Sequence, residues 1–325
     1  IEDRLKKKQG VIILQNRRGF STQIYCEDCN EIEICENCSV PMVYHVNRNY
    51  LQCHYCGFER KVPNACTNCG SLNIKYFGTG TERVEDELEF YFPAAKIKRI
   101  DSDTVSRKSS LSKILFEFSK GEIDILVGTQ MVSKGLDFSH VTLVGVISAE
   151  TSLWLPDFRA DERTFQLLTQ VSGRAGRSNV AGEVIIQTHN ERHFTLQKVV
   201  LHDYKGFYEK EIKDREKMEY PPFARICLIE TRDADEEKAH GAMKDFFDEL
   251  QAYTKYLDIK PPTTALIARL KGNYRFHLMI KSFKDKDPGG KILRQAVLNS
   301  FIEFNRKSRY RDVKLIYDVD PQSIM

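Results

Sequence analysis

Short apolar runs alternate with amphipathic stretches over the first 190 positions of the chain. Val11–Leu14, Ile74–Phe77, Ile97–Ile100, Ile123–Val127, Val141–Ile147 and Glu183–Gln187 predict strands. Between them Glu82–Phe92, Ser109–Ser119 and Asp161–Val171 predict helices, the first with Val84, Leu88, Tyr91 and Phe92 on one face. Nearly continuous Val/Ile/Leu strands joined by helical crossovers predict a parallel sheet covered on both faces, an α/β fold.

A different order follows the charged helical stretch His202–Met218, which ends at Pro221-Pro222 because proline stops a helix. Strand Arg225–Thr231, helix Glu236–Tyr256, strand Thr264–Leu270, a Gly272-Asn273 turn, strand Tyr274–Lys281, helix Lys291–Asn305 and strand Asp312–Asp318 spell βαββαβ. That is the split βαβ, ferredoxin-like arrangement of an α+β sandwich. In its first helix Ala239, Met243, Phe246, Phe247 and Leu250 keep the spacing of a core-facing stripe.

Composition then narrows the class. The chain has 325 residues, 41% of them hydrophobic and 10% aromatic, enough for full cores and too much for a disordered chain. Lys and Arg number 49 and Asp and Glu 46, so a net charge of +3 excludes nucleic-acid binding by bulk charge and leaves local basic patches. No apolar run approaches the roughly 20 residues that a membrane helix needs. The chain opens on Ile1-Glu2-Asp3-Arg4 with no signal-peptide pattern, and residue 1 reads as an internal point of a longer protein.

Eight of the nine cysteines fall between Cys26 and Cys69 as four C-x-x-C pairs: Cys26/Cys29, Cys35/Cys38, Cys53/Cys56 and Cys66/Cys69. Each pair can aim two thiolates at one ion, and zinc takes four sulfurs in a tetrahedron. The block therefore predicts two structural zinc sites of four cysteines each, with no open position for a water. Asn30, Gly57 and Gly70 follow the second cysteine of their pairs and tolerate the left-handed backbone that such a turn uses. Val40–Gln52 reads as a hairpin and favours nested pairing, the inner pairs on one ion and the outer pairs on the other; sequential pairing is the alternative. His45 and His54 read as solvated hairpin residues, and Cys227, within Ile226-Cys227-Leu228-Ile229, as a small buried hydrophobe.

Two stretches of the α/β region carry further chemistry. In Asp124 to Phe138 a buried strand runs into Gly128-Thr129-Gln130 and then Lys134-Gly135 and Asp137, a strand, turn and helix start suited to phosphate. In Gln170 to Arg177 two arginines, Arg174 and Arg177, stand among Gly173 and Gly176, suited to presenting guanidinium groups to phosphates. Basic and aromatic residues also gather at one hairpin (Arg269, Lys271, Tyr274, Arg275, His277) and after the last helix (Arg306, Lys307, Arg309, Tyr310, Arg311), a composition that fits DNA backbone contact with base stacking. The Glu209–Lys217 stretch reads as a solvated face.

These two stretches resemble motifs V and VI of the second RecA-like lobe of superfamily 2 helicases. The cysteine block set between Asn16-Arg17-Arg18-Gly19 and Gly78-Thr79-Gly80-Thr81-Glu82, together with the hairpin Gly272 to Phe276 and the ending Asp318-Val319-Asp320-Pro321-Gln322-Ser323, is similar to the primosomal protein N′ (PriA) family. The resemblance covers essentially the whole chain. It implies a RecA-like lobe at residues 1–25 and 71–202, a zinc-binding insertion at 26–70, and a C-terminal domain at 203–325. It further implies an ATP-dependent 3′→5′ DNA helicase that binds stalled or abandoned replication forks and restarts replication by primosome assembly.

By the same resemblance Arg174 and Arg177 reach the triphosphate as arginine fingers, while Gly135, Asp137 and Gln170 border the nucleotide. Thr79, Gly80, Thr81, Gly128 and Thr129 touch the DNA backbone, with Tyr274 and Arg275 as DNA contacts of the last domain. It agrees with nesting: Cys26, Cys29, Cys66 and Cys69 on one zinc, Cys35, Cys38, Cys53 and Cys56 on the other. Implied besides zinc are ATP and Mg2+ in the full-length enzyme, forked and single-stranded DNA, single-stranded DNA-binding protein, primosome and helicase-loader proteins, and a cytoplasmic, nucleoid-associated monomer.

The sequence contains no G-x-x-x-x-G-K-[ST] segment and no Asp-Glu-x-His segment for magnesium, so this chain by itself is expected not to turn over ATP. A non-enzymatic DNA- or protein-binding module, or a lobe of another superfamily 2 helicase, are the competing readings.

Overall fold

The computed structural model describes residues 1–15, 23–77, 84–100, 108–128, 138–173 and 182–324. Two compact units emerge. One gathers Ile1–Gly19, Gly78–Leu155 and Arg159–Phe207; the other gathers Phe20–Phe77, Pro156–Phe158 and Tyr208–Met325.

The first unit is built on five strands in the spatial order Glu183–Ile186, Val141–Ile147, Gly10–Gln15, Ile125–Gly128 and Ile97–Ile100, every neighbouring pair parallel. In the central strand Val11, Ile12, Ile13 and Leu14 are all buried, which a strand achieves only where both faces are covered. Crossover helices include Val84–Tyr91, Lys108–Ser119 and Ala160–Ser172. The unit also holds a helix over Phe194–Val200, with Thr195, Leu196 and Val199 buried, before the charged helix Tyr204–Lys217 begins.

One expected strand lies elsewhere. Ile74–Phe77 pairs antiparallel with Gln23–Cys26 and stays out of the parallel sheet. The two form the stem on which the cysteine block is carried. The apolar run is too short to distinguish a sheet strand from a stem strand, so pattern alone assigns it to the wrong partner.

In the second unit Ala224–Asp233 is flanked by Asn273–Phe283 and Lys314–Val319, and Asn273–Phe283 also pairs with Thr263–Leu270; all these pairs are antiparallel. This is the strand order of the split βαβ arrangement. Helices Glu236–Leu250 and Lys291–Lys307 cover one face, burying Ala239, Met243, Phe246, Leu250, Leu293 and Phe304. The other face meets the cysteine block. Along Ala224–Asp233 the side chains alternate, Cys227 and Ile229 into the helix-side core, Ile226 and Leu228 into a core shared with Val40, Met42, Leu51 and Tyr55. A sheet covered on both faces explains why this strand reads as a continuous apolar run. Cys227 is fully buried, and burial pushes its thiol up to about 12, which makes it an inert filler.

Candidate functional site

Each C-x-x-C pair closes in the same way. The first cysteine donates its backbone N–H two residues past the second: Cys26 to Glu31, Cys35 to Val40, Cys53 to Phe58 and Cys66 to Ser71, at 2.7–2.9 Å. The residue after the second cysteine donates back to the carbonyl of the first: Asn30 to Cys26, Ser39 to Cys35, Gly57 to Cys53 and Gly70 to Cys66, at 2.8–2.9 Å. All four of these residues have φ between 48° and 76°. Residue type points to Asn30, Gly57 and Gly70 but misses Ser39, because serine does not announce a left-handed turn.

Two cysteine quartets result, Cys26/Cys29/Cys66/Cys69 and Cys35/Cys38/Cys53/Cys56, each with its sulfurs within 4.8 Å of one another. This is the nested arrangement. Cross-pair Sγ···Sγ distances are 3.6 Å for Cys26–Cys69, 3.6 Å for Cys29–Cys66 and 3.7 Å for Cys35–Cys56. A tetrahedron with Zn–S bonds of about 2.3 Å has an edge of about 3.8 Å, so the donor set fits two structural zinc ions without rearrangement. Four thiolates saturate each ion, so the metal contributes folding energy and no reactive water.

The inner quartet is enclosed by the C-terminal domain. Cys35, Cys38 and Cys53 are fully buried. Tyr220 donates its hydroxyl to the Cys38 carbonyl at 2.7 Å, and its ring lies 3.9 Å under the ammonium of buried Lys281. Lys281 in turn donates to the Met218 carbonyl at 2.9 Å. The outer quartet is more open, with Cys69 exposed. Glu33 links the two, ion-paired to Arg60 and accepting from Thr67 Oγ1 at 3.0 Å.

The expectation of solvated hairpin histidines is corrected. His54 is only 7% exposed, and its Nδ1 lies 2.8 Å from the carbonyl oxygen of Thr264; its other nitrogen, Nε2, is 3.2 Å from Nε2 of His45.

The hairpin patch of the C-terminal domain divides. Arg275 is 6% exposed; its guanidinium donates to Glu230 at 2.7 Å and to the Ile267 carbonyl at 3.3 Å. His277, also buried, lies 2.7 Å from the same carboxylate. Arg275 is therefore spent inside the protein and is not placed to meet DNA. Burial alone would raise the Glu230 carboxyl, but hydrogen bonds from His277, Arg275 and Arg232 outweigh it and hold the group ionised, well below the usual carboxylate range. Tyr274 stays half-exposed with the Arg269 guanidinium 5.0 Å from its ring, and Arg309 makes a similar pair with Tyr310 at 4.7 Å.

In the first unit Gly128 is buried at the end of its strand, level with Leu14 and Ile100 across the sheet. Gln170 is exposed on the last turn of the Ala160–Ser172 helix. Thr79, Gly80, Thr81, Thr129, Gly135, Asp137, Arg174 and Arg177 lie outside the described residues. At the carboxyl ends of the Gly10–Gln15 and Val141–Ile147 strands a small pocket is lined by Gln15, Ser148, Ala149, Ser152, Thr164 and Leu168. That end of a parallel sheet is where such folds bind ligands. Beside it Glu150, 1% exposed, accepts from Thr188 Oγ1 at 2.5 Å and from the His189 N–H at 2.7 Å, tying two strand exits together. No spacing in the sequence marks that clamp.

Comparison with known proteins agrees with this architecture. Family models match for the PriA DNA helicase Cys-rich region over residues 35–61, the helicase conserved C-terminal domain over 71–179, and the primosomal protein N C-terminal domain over 216–322. The replication restart protein PriA of Bacillus subtilis is 40% identical over 329 residues, covering 100% of this chain and 40% of that protein. That of Synechocystis is 41% identical over 287 residues, 86% of this chain and 34% of the relative. That of Haemophilus influenzae is 36% identical over 324 residues, 98% of this chain and 43% of the relative. The chain thus spans about two fifths of the length of these curated relatives. With the helicase lobe, the cysteine-rich region and the C-terminal domain all matched in one sequence, the chain belongs to the PriA family.

Proposed function

We propose that this chain supplies the second RecA-like lobe (1–25 and 71–202), the zinc insertion (26–70) and the C-terminal domain (203–325) of an ATP-dependent 3′→5′ DNA helicase. That enzyme binds stalled or abandoned replication forks and restarts replication by primosome assembly in the cytoplasm. The observation that carries this reading is the joining, in one chain, of a helicase-lobe match to two nested four-cysteine centres and a primosomal C-terminal domain.

Phosphoryl transfer is mainly positioning and charge stabilisation, and guanidinium groups supplied across the lobe cleft neutralise charge on the transferred group. Arg174 and Arg177 fill that role in this reading, with Gly135, Asp137 and Gln170 beside nucleotide and Mg2+ supplied with it. Thr79–Thr81, Gly128 and Thr129 follow the DNA backbone, and Tyr274 with Arg269 offers a stacking platform to single-stranded DNA. Single-stranded DNA-binding protein and the helicase loaders are the expected protein partners.

Arg177→Ala in the full-length helicase tests the assignment. Fork binding should survive while DNA-stimulated ATP turnover falls by about three orders of magnitude or more. Unchanged turnover would remove the finger role. The 325-residue chain alone, having no phosphate-binding G-x-x-x-x-G-K-[ST] segment, should bind forks yet hydrolyse ATP at background rate.

A further inference from the structure

Outside the two four-cysteine centres, one pair of side chains among the described residues is set as metal ligands are set. His45 Nε2 and His54 Nε2 are 3.2 Å apart. Two imidazoles on one tetrahedral ion, with Zn–N bonds of about 2.0–2.1 Å, have an N···N separation of about 3.3 Å.

The tautomer of His54 follows from its other nitrogen. A carbonyl oxygen can only accept, so at 2.8 Å from the Thr264 oxygen the proton of His54 sits on Nδ1 and donates there. Nε2 is left with its lone pair directed at His45. A histidine whose second N–H is fixed on a backbone carbonyl is the usual orientation device of a metal ligand. The rings themselves are held: His54 is 7% exposed, and His45 stacks on Tyr50 with centroids 5.0 Å apart at 10°. His45 is only partly buried, which leaves a side open to water.

We propose that His45 and His54 form a third metal site, each giving Nε2 to a divalent transition ion such as Zn2+ or Cu2+, with water filling the remaining positions. Having two protein ligands where the cysteine centres have four, it binds more weakly and exchanges. An ion there braces the hairpin on which Thr264 of the C-terminal domain already closes, so occupancy stiffens the join between cysteine block and C-terminal sheet. The inference is independent of the helicase reading. An N–H···N hydrogen bond from His45 to His54 would use the same atoms, and metal stoichiometry separates the two.

The test titrates the intact chain, loaded with two zincs, with further Zn2+ against a chromophoric chelator. Saturation at three ions per chain is expected, and His45→Asn and His54→Gln should each weaken the third by at least about tenfold while keeping the first two. Saturation at two, or a third ion indifferent to both substitutions, overturns the proposal. Cu2+ added to the zinc-loaded wild-type chain needs no variant to fold: its spectrum should show coupling to two imidazole nitrogens at one equivalent, and a spectrum without that coupling refutes the site.

Discussion

At the residue scale the left-handed positions of the cysteine block separate backbone cost from packing. Gly70 has φ 76° and open space where a Cβ would stand, so Gly70→Ala should cost about 1 kcal/mol through backbone strain alone. Ser39, at φ 48°, carries that strain already, and Ser39→Gly should recover about as much; thermal melts of the zinc-loaded variants would show shifts of opposite sign. Glu230 makes the pH case. Its folded carboxyl lies below the ordinary 4.5, so its stabilisation is complete above that value and drains away as pH falls through the folded value. His277, held by burial below the ordinary 6.5, resists a proton that the unfolded chain accepts, so stability also falls as pH drops below 6.5. Both groups make acid destabilising. Glu230→Gln should lower stability at pH 7 by about 3 kcal/mol, because it leaves Arg275 buried without its anion, and should flatten the further loss below the ordinary carboxyl value of 4.5, where the native carboxylate's contribution drains away. Urea titrations at neutral pH and on either side of that value check this. Residue types alone could not reveal this pairing, since Glu230 lies 45 positions from Arg275 and meets it only through strand register.

At the element scale legibility followed burial. The stripe on Glu236–Leu250 is where the spacing placed it, because a helix between a sheet and solvent buries one face only. The three inner strands of the parallel sheet were legible for the opposite reason, being apolar almost throughout, whereas the edge strands Ile97–Ile100 and Glu183–Ile186 carry Lys98, Arg99 and Glu183. What pattern did not reach were elements defined by a single contact. Phe194–Val200 is seven residues long, too short for periodicity to stand out. The start of Lys291–Lys307 depends on Asp287, whose carboxylate accepts from the N–H of Ile292 at 3.2 Å and of Leu293 at 3.1 Å, and from Ser282 Oγ at 2.9 Å. Asp287 stands well before the helix behind Pro288-Gly289-Gly290, so no capping motif flags it. Asp287→Ala should therefore cost about 1–2 kcal/mol, a cap's worth, read as a lower urea midpoint with unchanged slope; a smaller cost would show that Gly290, at φ 67°, starts the helix without it.

At the scale of the whole molecule the cysteine block is an insertion by sequence, yet it packs in one compact unit with the C-terminal domain. Sequence order places it next to the parallel sheet, and only the second apolar face of Ala224–Asp233 hints that something else must cover the C-terminal sheet. The two zinc centres should then differ in consequence. The inner cysteines Cys35, Cys38 and Cys53 belong to the same core as Ile226, Leu228 and Met279 of that sheet, whereas the outer quartet contributes no cysteine to it. Cys53→Ser and Cys66→Ser should each release about one zinc equivalent. Only Cys53→Ser should also expose the C-terminal sheet, seen as faster amide exchange across Ala224–Asp233 and Asn273–Phe283, because losing the inner ion uncovers Ile226 and Met279. Cys66→Ser should leave that protection intact while loosening Cys66–Gly70. Equal loss of protection in both variants would mean that the two ions fold as one unit through the Glu33–Arg60 link. Equal retention would mean that the sheet holds its own against water, and that its second apolar face tolerates the loss of its cover.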